Sequence, residues 1–111
     1  MAVFKFPTLN PLLHCDVRLK VMVVLDNLGS ADFMYLRELT DATRGNLSVQ
    51  LSTLKKAGYI EVKKTGFGRF SHTVCRITEK GKHALQVYED GLNRLFTEAI
   101  PAMPEKKTQA V

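Results

Sequence analysis

The stretch Asn46–Lys64, NLSVQLSTLKKAGYIEVKK, changes its apolar period once, from that of a helix to that of a strand, with a glycine at the change. Two elements of different kind must therefore meet with no linker between them. In the first half Leu47, Leu51 and Leu54 stand at i, i+4 and i+7 and stack on one side of a helix. Ser48, Val49, Ser52, Thr53 and Lys56 point elsewhere, and Gln50 lies at the margin of the leucine stripe. The outward residues are mostly short and polar. They lack the Glu and Lys alternation that supports an ordinary solvated helix face through i,i+4 pairs. Lys55 and Lys56 meet the negative end of the helix dipole, and Gly58 suits the left-handed conformation of a helix C-terminus. From Tyr59 the period is two, with Ile60 and Val62 on one face and Glu61 and Lys63 on the other, so a strand follows at once.

Charge is distributed unevenly around this segment. The chain of 111 residues carries a formal net charge of +5, yet Arg44–His83 holds nine Lys/Arg against two Glu, a net +7, and the remainder is −2. A surplus gathered in one part favours a polyanionic partner, because neutralising phosphates releases counterions. The length predicts a single domain, residues 1–100, with a flexible C-terminal tail at 101–111 after Pro101. Cys15 and Cys75 are far apart with no short-spaced partner, which excludes a zinc ribbon or a CxxC redox motif. Together with the short apolar stretches at the N-terminus and at Val21–Leu25, this predicts a reduced, cytoplasmic protein without a membrane span.

On either side, Asn10-Pro11 and then Asp16 offer helix caps before an apolar run through Leu19, Val21, Met22, Val23, Val24, Leu25 and Leu28. That run is too apolar for one stripe, so it is covered on more than one side. Gly29-Ser30 breaks it, and Asp32 caps a short second helix through Phe33, Leu36 and Leu39 to about Thr40. Asp41–Gly45 reads as a turn before a helix opening at about Asn46. Beyond Lys64, Thr65-Gly66-Phe67-Gly68-Arg69 links to a second extended run, Phe70–Ile77, which completes a hairpin. Thr78 caps a last helix whose Leu85, Tyr88, Leu92, Leu95 and Ala99 form a seam, with Phe96 beside it. The expectation is a mainly α fold with one small β-hairpin.

This order, with Asn46-Leu47-Ser48, Leu51, Leu54, Ala57-Gly58-Tyr59-Ile60, Val62, Gly68-Arg69, Ile77-Thr78 and Gly81, resembles the small winged helix-turn-helix transcriptional regulators of the MarR and ArsR type. The resemblance implies a homodimer joined through its N- and C-terminal helices. It also implies a helix at about 46–57 in the major groove of double-stranded DNA, a wing at about 65–70 on flanking DNA, and an inverted-repeat operator. It admits a small-molecule effector held between helices by ordinary apolar residues.

Candidate DNA-binding residues are accordingly Arg44, Asn46, Ser48, Val49, Gln50, Ser52, Thr53, Lys56, Lys63, Lys64, Arg69, Ser71 and His72. Gln can bond adenine, Val can meet a thymine methyl, and Arg69, with glycines near it that let the tip approach closely, can enter a minor groove. Candidate interface residues are Leu12, Leu13, Val24, Leu85, Tyr88, Leu92, Leu95, Phe96 and Ala99. His14, Cys15, His72, Cys75 and His83 lack the spacing of a tetrahedral metal site, and no nucleophile, base and orienting group assemble into a catalytic motif. A DNA-binding regulator without metal, cofactor or enzymatic activity is the reading, and a winged helix used for protein contact is its alternative.

Overall fold

The leucine stripe of the central helix closes on a core drawn from every other part of the chain. The structure, a computed structural model, describes residues 6–97. The elements run α1 (Asp16–Leu28), β1 (Ser30–Asp32), α2 (Phe33–Thr40), α3 (Arg44–Lys56), β2 (Ile60–Thr65), a single 3-10 turn (Gly68–Phe70), β3 (His72–Ile77) and α4 (Glu79–Thr97). Leu47, Leu51 and Leu54 of α3 are buried against Val21, Met22 and Leu25 of α1, Leu36 of α2, Ile60, Cys75 and Ile77 of the sheet, and Leu85 and Tyr88 of α4. No described helix is long and apolar enough to cross a membrane.

The predicted caps form at two helices. Asp32 accepts from the Tyr35 amide at 2.8 Å, and Thr78 Oγ1 accepts from the Gly81 amide at 2.9 Å. Two boundaries differ from the expectation. The central helix opens at Arg44, because Thr43 is extended and its hydroxyl accepts from the Asn46 amide at 3.1 Å. Asn46 is thus the third residue of the helix rather than its start, and Asp41, with φ +56, makes the tight corner before it. Asn10-Pro11 opens no helix. Asn10 instead closes one turn, accepting from Leu12 through its side chain and from Leu13 and His14 through its carbonyl, and α1 begins at Asp16.

The hairpin is part of a larger sheet. Ser30–Asp32, which the sequence presents as a break and a cap, pairs antiparallel with β3 through Ser30 opposite Arg76, Ala31 opposite Cys75 and Asp32 opposite Val74. The order is β1-β3-β2. Three residues with one apolar side chain are too short to show a period of two. In the β2–β3 ladder Ile60 faces Ile77, Val62 faces Cys75 and Lys64 faces Thr73, so these pairs share the side that meets α3. Glu61 with Arg76 and Lys63 with Val74 lie on the opposite side.

The corner between α3 and β2 is clamped by the start of α4. Gly58 has φ +80, Thr78 Oγ1 donates to its carbonyl at 2.7 Å, and the Thr78 amide donates to the Tyr59 carbonyl at 3.0 Å. A β-carbon at Gly81 would overlap the Tyr59 carbonyl oxygen and stand 3.1 Å from Ile77 Cγ1. Since the obstructing atom is backbone, Gly81→Ala is expected to destabilise the fold by about 1–3 kcal/mol, the usual range for overpacking, as a lower urea midpoint at unchanged slope.

Cys75 sits fully buried in the sheet's inner face. Burial, reinforced by the charge of Asp32, pushes its thiol from 9.0 up to about 11. The folded state therefore holds this proton more tightly than the unfolded state. The associated stability is complete below pH 9.0 and is lost as pH rises through about 11. Cys75→Val, which fills similar volume without a titrating group, is expected to lose less stability than the parent between those two pH values in urea titrations.

Candidate nucleic-acid interface

The side of α3 opposite its leucines meets open space, and the strands leaving Gly58 bend that space into a cleft. Arg44, Ser48, Ser52 and Lys55 of α3, Lys64 of β2, and Ser71, His72 and Thr73 at the start of β3 line an open cleft of about 650 Å³, closed at one end by Asp32, Phe33 and Met34. Six of the sequence-derived candidates, Arg44, Ser48, Ser52, Lys64, Ser71 and His72, converge there. Register explains Lys64: it follows Val62 on the face turned to α3. Arg44 is fixed at the cleft's edge, its guanidinium 5.7 Å above the Phe33 ring and its Nη2 3.8 Å from Met34 Sδ.

Val49, 60% exposed, and Lys56 extend the same outward side of α3 beyond the cleft. Thr53 is half-buried and its hydroxyl donates to the Val49 carbonyl at 3.2 Å. Lys63 is exposed on the other face of the sheet with Glu61, away from the cleft. Arg69 lies exposed at the tip between the strands, where Gly66 (φ +82) and Gly68 (φ +53) turn the backbone through the left-handed region.

Gln50 does not stand free on the outer side. It is half-buried at the margin of the leucine stripe, its Oε1 accepting from Arg18 Nη1 of α1 and its Nε2 donating to Asn46 Oδ1 at 3.0 Å. Both ends of its amide are thus engaged inside the chain, which sets Gln50 apart from the free side chains on the outer side of α3. Three features escaped the sequence reading. Lys55 reaches the cleft, although its signal was that of a helix-end cation; Arg18 holds Gln50, a contact across separate helices; and Phe67, 90% exposed, caps the tip of the wing beside Arg69.

The expected interface residues divide into two sets. Leu13, Leu85 and Tyr88 are buried within the single chain, in its core, and so are not an exposed seam. Leu12, Val24, Leu92 and Leu95 are half-buried, Phe96 is 80% exposed, and Ala99 lies outside the described residues, as does the tail 101–111. Leu19, Val23 and Leu92 border a groove of about 320 Å³ between α1 and α4, with Asp26 and Glu89 at its rim. Of the residues weighed as metal ligands, His14 is hydrogen-bonded through Nδ1 to the Tyr88 hydroxyl at 2.9 Å and Cys75 is enclosed in the core.

This arrangement has counterparts. An uncharacterized protein of Methanocaldococcus jannaschii is 36% identical over 72 residues, 65% of this chain and 78% of the relative. Among solved structures, the transcriptional regulator homologue protein from Pyrococcus horikoshii OT3 superimposes with a TM-score of 0.71 at 26% identity, covering 77% of this chain and 84% of that chain. PadR of Bacillus subtilis in complex with operator DNA shares the fold at a TM-score of 0.55 and 17% identity, over 84% of this chain and 51% of that one. The family model described as a winged helix DNA-binding domain matches residues 17–96, from the start of α1 to the end of α4. The chain belongs to the winged helix DNA-binding domain family.

Proposed function

We propose that this protein regulates transcription as a homodimer. Each subunit would lay α3 in the major groove of one half of an inverted-repeat operator and rest its wing on the flanking backbone. The observation that carries this reading is the convergence of Arg44, Ser48, Ser52, Lys55 and Lys64 on one cleft. Cations at the margins suit phosphates, and short hydroxyl side chains let a helix approach base edges closely. Phe67, held out between Gly66 and Gly68, and Arg69 just after them suit the adjacent minor groove, where a cation meets the negative potential and an apolar side chain can wedge against a base step. PadR, which shares the fold, is in complex with operator DNA, and this supports duplex DNA as the partner.

Dimerisation is supported by the side of the molecule away from the cleft. Val23 of α1, which borders the α1–α4 groove, and Phe96 near the end of α4 are large apolar residues left exposed. A second copy packing there would remove this surface from water at roughly 25 cal/mol per Å². To read two half-sites, such a dimer has to set its two α3 helices about 34–36 Å apart, one turn of duplex.

Selection of bound sequences from random duplexes is expected to enrich an inverted repeat. Enrichment of a single, unrepeated site would contradict the dimeric placement. Lys64→Ala and Arg69→Ala should weaken selected and random DNA alike, and each should flatten the log K versus log[salt] slope by about 0.9, the loss of one phosphate contact. Ser52→Ala should cost about 1–3 kcal/mol on the selected site and little on random DNA, the pattern of a lost base contact. Light scattering at micromolar concentration should give the mass of two chains, and Val23→Glu combined with Phe96→Glu should return it to one.

A further inference from the structure

Arg18, Gln50 and Asn46 form a directed chain of hydrogen bonds from α1 to the first turn of α3. Arg18 Nε donates to the Leu12 carbonyl at 2.6 Å and its Nη1 donates to Gln50 Oε1, while Gln50 Nε2 donates to Asn46 Oδ1 at 3.0 Å. A guanidinium has donors only. Gln50 must therefore turn its oxygen to Arg18, which leaves its nitrogen for Asn46, and Asn46 must in turn use its oxygen to receive it. The direction of both amides follows from the charge on Arg18, and each bond polarises the next in the same sense.

We infer that Arg18 and Gln50 are positioning residues that make exposed Asn46 a hydrogen-bond donor toward DNA, its amide nitrogen turned outward to an acceptor oxygen or ring nitrogen. This rests on the placement of α3 against DNA proposed above. The acceptors that fit are a phosphate oxygen, guanine O6 or N7, and thymine O4. The bidentate adenine contact usual for asparagine is disfavoured, because it needs the amide oxygen aimed at the base edge and here that oxygen is turned to Gln50. Asn46 is exposed and stands three residues after the Thr43 cap, at the end of the helix where the dipole also favours an electron-rich partner.

The test uses the full chain, a duplex enriched by selection, and a mixed-sequence duplex of equal length, with affinities read by fluorescence anisotropy. Asn46→Ala is expected to weaken binding about tenfold, the scale of one lost directional contact. Loss on both duplexes identifies a phosphate acceptor and loss on the selected duplex alone a base edge; either supports the donor role. Gln50→Glu keeps the partner of Arg18 but offers Asn46 no donor, so it should also weaken binding severalfold. Because both changes break one chain, the double variant should bind no worse than the weaker single, whereas losses that multiply would overturn the inference.

Unchanged affinity in Asn46→Ala would also overturn it and leave the Gln50–Asn46 bond as an ordinary i,i+4 helix pair. Side-chain amide spectra keep the result independent of stability: the Asn46 Nδ2 protons should shift on adding DNA while those of Gln50 stay in place. If Ser52→Ala and Lys64→Ala bind like the parent, the placement of α3 fails and the inference with it. If those two weaken binding and Asn46→Ala does not, the inference alone fails.

Discussion

The corner at Gly58 and Tyr59 sets the relation of helix to wing, and the cleft exists only because that corner is rigid. Its backbone carbonyls are both taken by Thr78, through the hydroxyl and the amide, and Gly81 presses so close that no side chain fits between. The same threonine caps α4. One residue therefore joins the end of α3, the start of β2 and the start of α4, and the angle at which Lys64 faces Ser52 is a consequence of backbone contacts rather than of the polar side chains themselves. Polar residues at an exposed cleft gain little from one another. Their alignment has to come from the apolar frame beneath them, which is why the leucine stripe of α3 and the inner faces of β2 and β3 matter to binding as much as the cations do.

The elements with strong local signals were legible in the sequence. Leu47, Leu51 and Leu54 named the buried side of α3, Ile60 and Val62 that of β2, and Asp32, Gly58 and Thr78 marked ends that the structure keeps. What failed to show was decided by contacts between distant segments. The strand Ser30–Asp32 is defined by pairing with β3, and three residues cannot display a periodicity of their own. The central helix opens at Arg44 rather than at about Asn46 because Thr43 caps it, and Thr43 lies inside the Asp41–Gly45 stretch whose composition reads as a turn. Leu85 and Tyr88 looked like part of a continuous seam, yet both are buried in the chain's own core, while Leu92 and Leu95 are half-buried and Phe96 is exposed.

At the cleft, six of the sequence-derived candidates converge and others stand apart from it. Lys63 and Lys64 are indistinguishable as neighbouring basic residues, but the pleat sends them to opposite faces and only Lys64 reaches the cleft. Gln50 sits only slightly outside the leucine stripe, and that small angle suffices to bring it within reach of Arg18. Helical spacing sorts residues into sides; it does not say which long side chain from another helix will arrive at the boundary between them.

Those boundary contacts also connect the reading face of the molecule to its opposite side. The segment before α1 packs Leu13 into the core, holds Tyr59 at the helix–wing corner through Asn10, holds Tyr88 of α4 through His14, and presents the Leu12 carbonyl to Arg18, which in turn holds Gln50 on α3. Leu9 packs within 3.1 Å of where a β-carbon at Gly91 would lie, so the segment also follows α4 toward its exposed half. One short stretch thus touches the corner that sets the cleft, the residue that holds Gln50, and the helix that carries the uncovered apolar surface. His14 and Leu13 on one side, and Leu12 with Arg18 and Gln50 on the other, thus link α4 to the first turn of α3 by direct contacts. The link is contiguous and built from hydrogen bonds and buried packing, so the cleft side and the opposite side of this small domain share one frame.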